Sequence, residues 1–217
     1  MSTPEQIAKR FENDTANHEM TVLHDDGLYR HLRFAKPDSS RDWFSIVTWP
    51  QKLVINGSVG TYVFSRMEDM FDFIRTSCPA GSPNYTYWEE KVVACGDPVV
   101  DYSTDLLDKQ VTEHLKEVEA EKYWPGVAEA WNEKVYGFFA EYDTTNEHGA
   151  RCALHDFTYK PDGAPESEEP FQFYDTVDWD LRDYDWKYLW SCHAIQWGIG
   201  QYDSKRVAAT QAVEVTS

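Results

Sequence analysis

Four groups of residues have types and spacings that could do chemistry. His148, Cys152 and His155, with Asp156, form a metal-like set, because zinc takes imidazole and thiolate ligands. Reading 152–158 as a strand puts Cys152 and His155 on opposite faces and returns them to ordinary strand residues. His18, Glu19, His24, Asp25 and Asp26 are an oxygen-rich set of the kind found in hydrolytic metal centres, here in a stretch that reads as a solvated loop. Cys192 and His193 are neighbours on a helical pattern, so their side chains diverge by ~100° and the imidazole cannot orient against the thiol. Gly57-Ser58-Val59-Gly60 lacks the lysine and following helix of a phosphate loop and reads as a hairpin turn. No Gly-x-Ser-x-Gly elbow is present. No catalytic residue, metal ligand or cofactor is assigned, and an enzyme is the less favoured class.

Two further groups point to binding. Arg30, Arg33, Arg41 and Arg66 cluster in sequence with Trp43, Trp49 and Tyr62. Guanidinium groups pair with phosphate and aromatic faces stack on bases, so this set suits a small nucleotide. The competing assignment makes the aromatics core and pairs the arginines with Asp38, Asp42 or Asp69. The other group is acidic: Glu166, Glu168, Glu169, Asp175, Asp178, Asp180, Asp183 and Asp185. DNA duplex carries one charge per ~1.7 Å of axis, and a rigid row of carboxylates can occupy a channel built for it. The competing assignment is a solvated acidic surface.

The charge is uneven along the 217 residues, whose formal total is -18. Residues 1–80 carry 9 basic and 11 acidic side chains, residues 81–217 carry 11 and 27, and 161–186 alone hold nine carboxylates and one arginine. Such a balance argues against a general nucleic-acid or anionic-membrane binder. Apolar residues make up 41% and aromatics 15%, enough for a substantial core. The polar N-terminus lacks a signal-peptide apolar stretch, and no run approaches the ~20 apolar residues needed to span a bilayer. Cys78, Cys95, Cys152 and Cys192 are far apart and read as free thiols.

The elements that must position these residues read as α+β, a single domain over 1–206 with a frayed tail at 207–217. Residues 3–16 form a short amphipathic helix behind Pro4. Tyr29–Phe34, Trp43–Trp49, Leu53–Ile55 and Val59–Ser65 read as strands, with Asn56-Gly57 as a hairpin turn through positive φ. Helices are expected over 66–77, 87–95, 104–122 and 127–142, the last with Val127, Trp131, Val135, Phe138 and Tyr142 on one face, and a loop with Pro79 over 78–87. Ala153–Tyr159 and Phe171–Leu181 read as strands, which would point Asp178 and Asp180 the same way about 7 Å apart. Residues 184–202 are apolar nearly all round and read as a central buried helix.

Some of these segments resemble a known family. Trp43-Phe44-Ser45-Ile46-Val47-Thr48-Trp49-Pro50, then Gly60-Thr61-Tyr62-Val63-Phe64-Ser65-Arg66 and Asp69-Met70-Phe71, are similar to a family of uncharacterised tailed-bacteriophage proteins. Leu189-Trp190-Ser191-Cys192-His193-Ala194-Ile195-Gln196-Trp197-Gly198-Ile199 and Gln201-Tyr202-Asp203 resemble that family's C-terminal helix. The family has no assigned activity, so the resemblance implies context alone: a phage accessory protein in the cytoplasm of an infected bacterium. The expectation is a non-enzymatic inhibitor of a host defence protein, acting through the acidic surface as a DNA mimic. The alternatives are a sponge for a nucleotide signal and a metal-dependent hydrolase.

Overall fold

The computed structural model describes residues 3–37, 39, 41–78 and 81–215; Asp38 and Pro79 lie outside them. The fold is α+β, and its residues group into two compact units, each with its own core. One unit takes residues up to 99 together with 184 onward, and the other is the intervening 100–183.

In the first unit, α1 (Pro4–Thr15) starts at a reciprocal cap: Gln6 N–H donates to Thr3 Oγ1 and Thr3 N–H to Gln6 Oε1. Six strands follow as an antiparallel sheet in chain order: β1 (Glu19–Asp26), β2 (Tyr29–Ala35), β3 (Phe44–Trp49), β4 (Lys52–Gly57), β5 (Thr61–Phe64) and β6 (Val92–Cys95). Alternation sends Leu32, Phe34, Phe44, Ile46, Leu53, Ile55, Tyr62 and Phe64 to one face, all fully buried. The short helices α2 (Met70–Thr76) and α3 (Tyr85–Glu89) lie between β5 and β6.

The long helix α8 (Trp186–Val215) packs in the same core through Tyr188, Leu189, Trp190, Cys192, Ala194, Ile195, Ile199 and Tyr202. The helix comes close to the sheet at Gly198, where a Cβ would stand 2.7 Å from Ile46 Cδ1 and 2.9 Å from Phe34 Cζ. A side chain at 198 would push against the tips of Ile46 and Phe34, which would have to shift to admit it.

The expected hairpin is present, with its turn one step further along. Asn56 still pairs with Thr61, Gly57 pairs with Phe44, and Gly57 N–H donates to Gly60 O. Neither Asn56 nor Gly57 takes positive φ. Glycine is required at 57 because a Cβ would lie 2.3 Å from the Trp43 carbonyl oxygen. A second tight turn, Pro50–Gln51, joins β3 to β4 with Gln51 at φ 67°.

Several expectations are corrected. Residues 19–26 form an edge strand, not a loop; almost every side chain in β1 is exposed, so the apolar alternation that marks a strand is missing. The helix expected over 87–95 is α3 followed by β6, and that over 66–77 starts only at Met70, capped by Asp69.

In the second unit, α4 (Thr104–Glu117), α5 (Ala120–Tyr123), α6 (Val127–Tyr136) and α7 (Glu147–Asp156) enclose Leu107, Val111, Trp131, Leu154, Phe157 and Phe171. The segment opens on β7 (Val100–Tyr102), which pairs with β10 (Arg182–Tyr184), and β8 (Thr158–Tyr159) pairs with β9 (Phe171–Gln172). Glu119 at φ 51° ends the helix expected over 104–122, and Gly137 ends α6 before Phe138.

The strand expected over 153–159 is instead mostly helix. Asn146 caps it by accepting from Gly149 N–H at 2.9 Å, and Ala150, Ala153 and Leu154 are its buried stripe. The strand expected over 171–181 stops at Gln172. Asp175 takes φ 55°, a 3-10 turn covers Thr176–Asp178, and Val177 is exposed. The Arg151 guanidinium fixes this loop by donating to Thr176 O and Trp179 O at 2.7 Å each.

Candidate functional site

The arginine and aromatic set is divided by the pleat of the sheet. Arg30 faces the core, 7% exposed, where it makes a bidentate pair with Asp69 at 2.8 Å and lies over the Phe71 ring. Tyr62 is fully buried, with its hydroxyl donating to Pro98 O, and burial raises its phenol far above the usual range. Arg33 stacks on Trp43 at 4.3 Å, Trp49 is 40% exposed at a strand end, and Arg41 and Arg66 are exposed. Arg30 and Tyr62 are therefore not available to a solvent-facing ligand. Within the set, Arg33 and Trp43 are brought together on the surface.

The histidine and carboxylate set of β1 also separates. The Asp25 carboxylate accepts from the buried Tyr202 hydroxyl at 2.8 Å, whereas His24 pairs across the ladder with His31. His18 bonds the Asp42 backbone carbonyl. On α7 the correction from strand to helix brings His148 and Cys152 to one face, four residues apart, with Nε2 and Sγ 3.8 Å apart. His155 turns instead to Asp156 at 2.7 Å. Among the described residues no three His, Cys, Asp or Glu side chains converge on a metal position.

The acidic set keeps its exposure. Glu166, Glu169, Asp175, Asp178 and Asp180 are exposed, and Glu168 and Asp183 are half-buried. The loop carrying the glutamates is held by its backbone: Lys160 Nζ donates to Glu166 O at 3.2 Å and Trp124 Nε1 to Glu169 O at 3.0 Å. Asp178 and Asp180 do not share a strand face, because the segment is a 3-10 turn and a bend. Asp180 accepts from Arg182 N–H at 3.0 Å. Asp185 belongs to the other unit, where its carboxylate caps α8 through Lys187 N–H at 2.8 Å.

The division into units sharpens the charge reading. Residues 100–183 carry 21 carboxylates against 7 cations, a net of -14, leaving 17 against 13 for the rest of the chain. Their salt bridges include Lys122 with Glu119, Lys134 with Glu141, and Arg151 and Arg182 with Glu147. These pairs engage Glu119, Glu141 and Glu147, three of the 21 carboxylates.

A groove of about 590 Å³ between α1 and α8 was not foreseen; Phe11, Glu12, His193, Gln196, Trp197 and Gln201 are among its walls. His193 Nε2 shares a hydrogen bond with the Tyr85 hydroxyl at 2.7 Å, and its ring stacks on Phe11. Burial pushes the His193 imidazole below its ordinary value, against a smaller opposing pull from Glu12, and burial raises Tyr85 to about 12. Both groups are neutral at pH 7. The adjacent Cys192 is fully buried and its thiol is pushed up, so the groove has a titratable pair without a nucleophile. The sequence signal was present in Glu12, His193 and Gln201, but α1 and α8 are too far apart in the chain for spacing to join them.

A histidine held neutral by burial makes stability depend on pH. As pH falls from about 7 to 5, the unfolded chain takes up the proton near pH 6.5 before the folded one does, so stability falls with it. His193→Gln is expected to shrink this fall, read as the difference in urea midpoints at the two pH values. An unchanged difference would assign the effect elsewhere, for instance to His114, which is also buried and lowered.

Among the described residues no helix is long and apolar enough to cross a membrane. All four cysteines are free. No family model, curated protein or solved structure matches the chain.

Proposed function

We propose that this chain is a non-enzymatic binding protein of bacteriophage origin. In this reading it inhibits a host defence protein by placing its acidic unit, residues 100–183, in a cationic surface made for DNA. The observation that carries the reading is charge segregation: 21 carboxylates against 7 cations in one unit, with Glu166, Glu169, Asp175, Asp178 and Asp180 exposed on anchored loops. A net charge of this size repels itself and opposes compaction, a cost that a cationic partner offsets. The same field speeds encounter with that partner at low salt. Asp185 drops out of the contact set, because it caps α8.

The test uses a host protein captured on the immobilised full chain and then purified. Affinity is expected to fall at least tenfold between about 50 and 200 mM salt, and duplex DNA should compete. Reversing Glu166, Glu168, Glu169, Asp175 and Asp178 to lysine is expected to abolish binding while the chain remains folded by circular dichroism. Salt-insensitive binding, or no competition by DNA, would overturn charge mimicry.

A further inference from the structure

The acidic unit also exposes a feature that charge does not explain. Helix α6 stops at Gly137, whose N–H donates to Glu133 O at 3.0 Å. A Cβ at 137 would lie 2.2 Å from that same oxygen, so the chain can turn there only with glycine. Ala140 N–H then donates to Gly137 O at 3.1 Å and closes a four-residue turn with Phe138 and Phe139 at its two corners. The base of the turn is fastened twice more, by Glu141 N–H to Lys134 O at 2.8 Å and by the Lys134–Glu141 ion pair at 3.2 Å. Phe138 is 95% exposed and Phe139 87%, and their rings meet edge to face at 4.8 Å.

Turn corners favour Gly, Pro, Asn, Asp and Ser, each for a backbone reason that phenylalanine does not supply. The two rings do little for the fold either, since they bury almost none of their surface. A phenylalanine left in water forgoes the stabilisation that burial would return. An ordered aromatic pair at the tip of a fastened turn matches the anchors that dominate protein interfaces. The exposed carboxylates of Glu133, Glu141 and Asp143 flank it, and Lys134 is already paired. Like charge opposes a second copy of this unit, an anionic bilayer and nucleic acid as occupants. What remains complementary is a protein surface with an apolar pocket and a cationic rim.

We propose that Phe138 and Phe139 are the anchor with which the acidic unit holds its protein partner. This rests on the reading of that unit as a charge-directed binding surface. Carboxylates then set the rate of encounter, and the phenylalanines set the time of residence.

The experiment measures association and dissociation of the captured, purified host protein against the wild-type chain, F138A/F139A and the five-residue lysine reversal. F138A/F139A is expected to dissociate about 100-fold faster, with its association rate and salt slope unchanged. Its thermal midpoint should match wild type, because neither ring packs in the core. F138L/F139L should recover most of the residence time. Wild-type dissociation by F138A/F139A, with binding still abolished by the lysine reversal, overturns the anchor and leaves the acidic reading standing. Failure to retain any protein, or no effect of either variant, overturns both. Retention of the wild-type chain on neutral phosphatidylcholine vesicles, lost in F138A/F139A, would overturn the protein partner in favour of a bilayer.

Discussion

Asp69→Ala is expected to destabilise the sheet unit by about 4 kcal/mol, within the range for removing one partner of a buried ion pair. Arg30 is 7% exposed and spends two of its donors on Asp69, each at 2.8 Å. Its remaining Nε has no partner, so removing the carboxylate strands a nearly unsolvated guanidinium. The same carboxylate accepts from Phe71 N–H at 2.8 Å as the cap of α2, and losing a cap costs about 1 kcal/mol by itself. Asp69→Asn keeps a capping oxygen and loses the charge, so about 2 kcal/mol is expected.

Urea denaturation followed by circular dichroism reads both variants. A loss under about 1 kcal/mol for Asp69→Ala would mean that water reaches Arg30 after all. The pair also has an acid signature. Burial raises the Asp69 carboxyl, but the Arg30 guanidinium and the Phe71 amide outweigh it and hold the group below its ordinary value. Its contribution is therefore complete above about pH 4 and is lost as pH falls through the lowered value. Asp69→Ala should flatten the wild-type loss of stability in that acid range.

Trp190→Ala is the second large effect, at about 4 kcal/mol. The indole is 1% exposed and meets Phe11 at 5.2 Å and Phe44 at 5.6 Å, both edge to face. It thus joins α1, β3 and α8 through a single side chain. Its Nε1–H donates to Asp14 at 3.1 Å. Trp190→Phe keeps most of the apolar volume and strands no donor, so it is expected to cost less than half as much. Equal losses for the two substitutions, measured by urea midpoint at a common slope, would show that the hydrogen bond and not the packing holds these elements together.

Legibility followed burial. β2, β4 and β5 alternate because one face is packed and the other is not, β3 does so less cleanly because Ser45 is buried as well, and α8 reads as a central helix because apolar residues surround it. β1 was illegible for the opposite reason, since an exposed edge imposes no pattern on its side chains. Residues 147–156 misled because only Ala150, Ala153 and Leu154 are buried on α7, a stripe too thin to outweigh the β-favouring residues that follow. The segment 171–181 has strand-like aromatic spacing, yet Arg151 bonds two of its carbonyls and Asp175 takes positive φ. The first constraint comes from outside the segment, and an aspartate alone does not announce positive φ. Among the candidate site residues, exposure of Glu166, Glu169, Asp175, Asp178 and Asp180 was readable from charge alone. The core positions of Arg30 and Tyr62 match the competing assignment, aromatics in the core and an arginine paired with Asp69, while Arg33, Arg41 and Trp49 stay on the surface.

The placement of α8 has a consequence for synthesis on the ribosome. Residues 32–64 emerge with an apolar face that α8 must cover, but residues 100–183 are translated before it. At about 5–20 residues per second, that interval lasts roughly 4–17 s. The intervening unit has its own core and can fold meanwhile, whereas the sheet waits half-dressed. The unit that carries most of the net negative charge is thus synthesised in full before α8, the helix that covers the sheet's apolar face. A charged neighbour of this kind is expected to help keep a nascent chain soluble while its apolar face is uncovered.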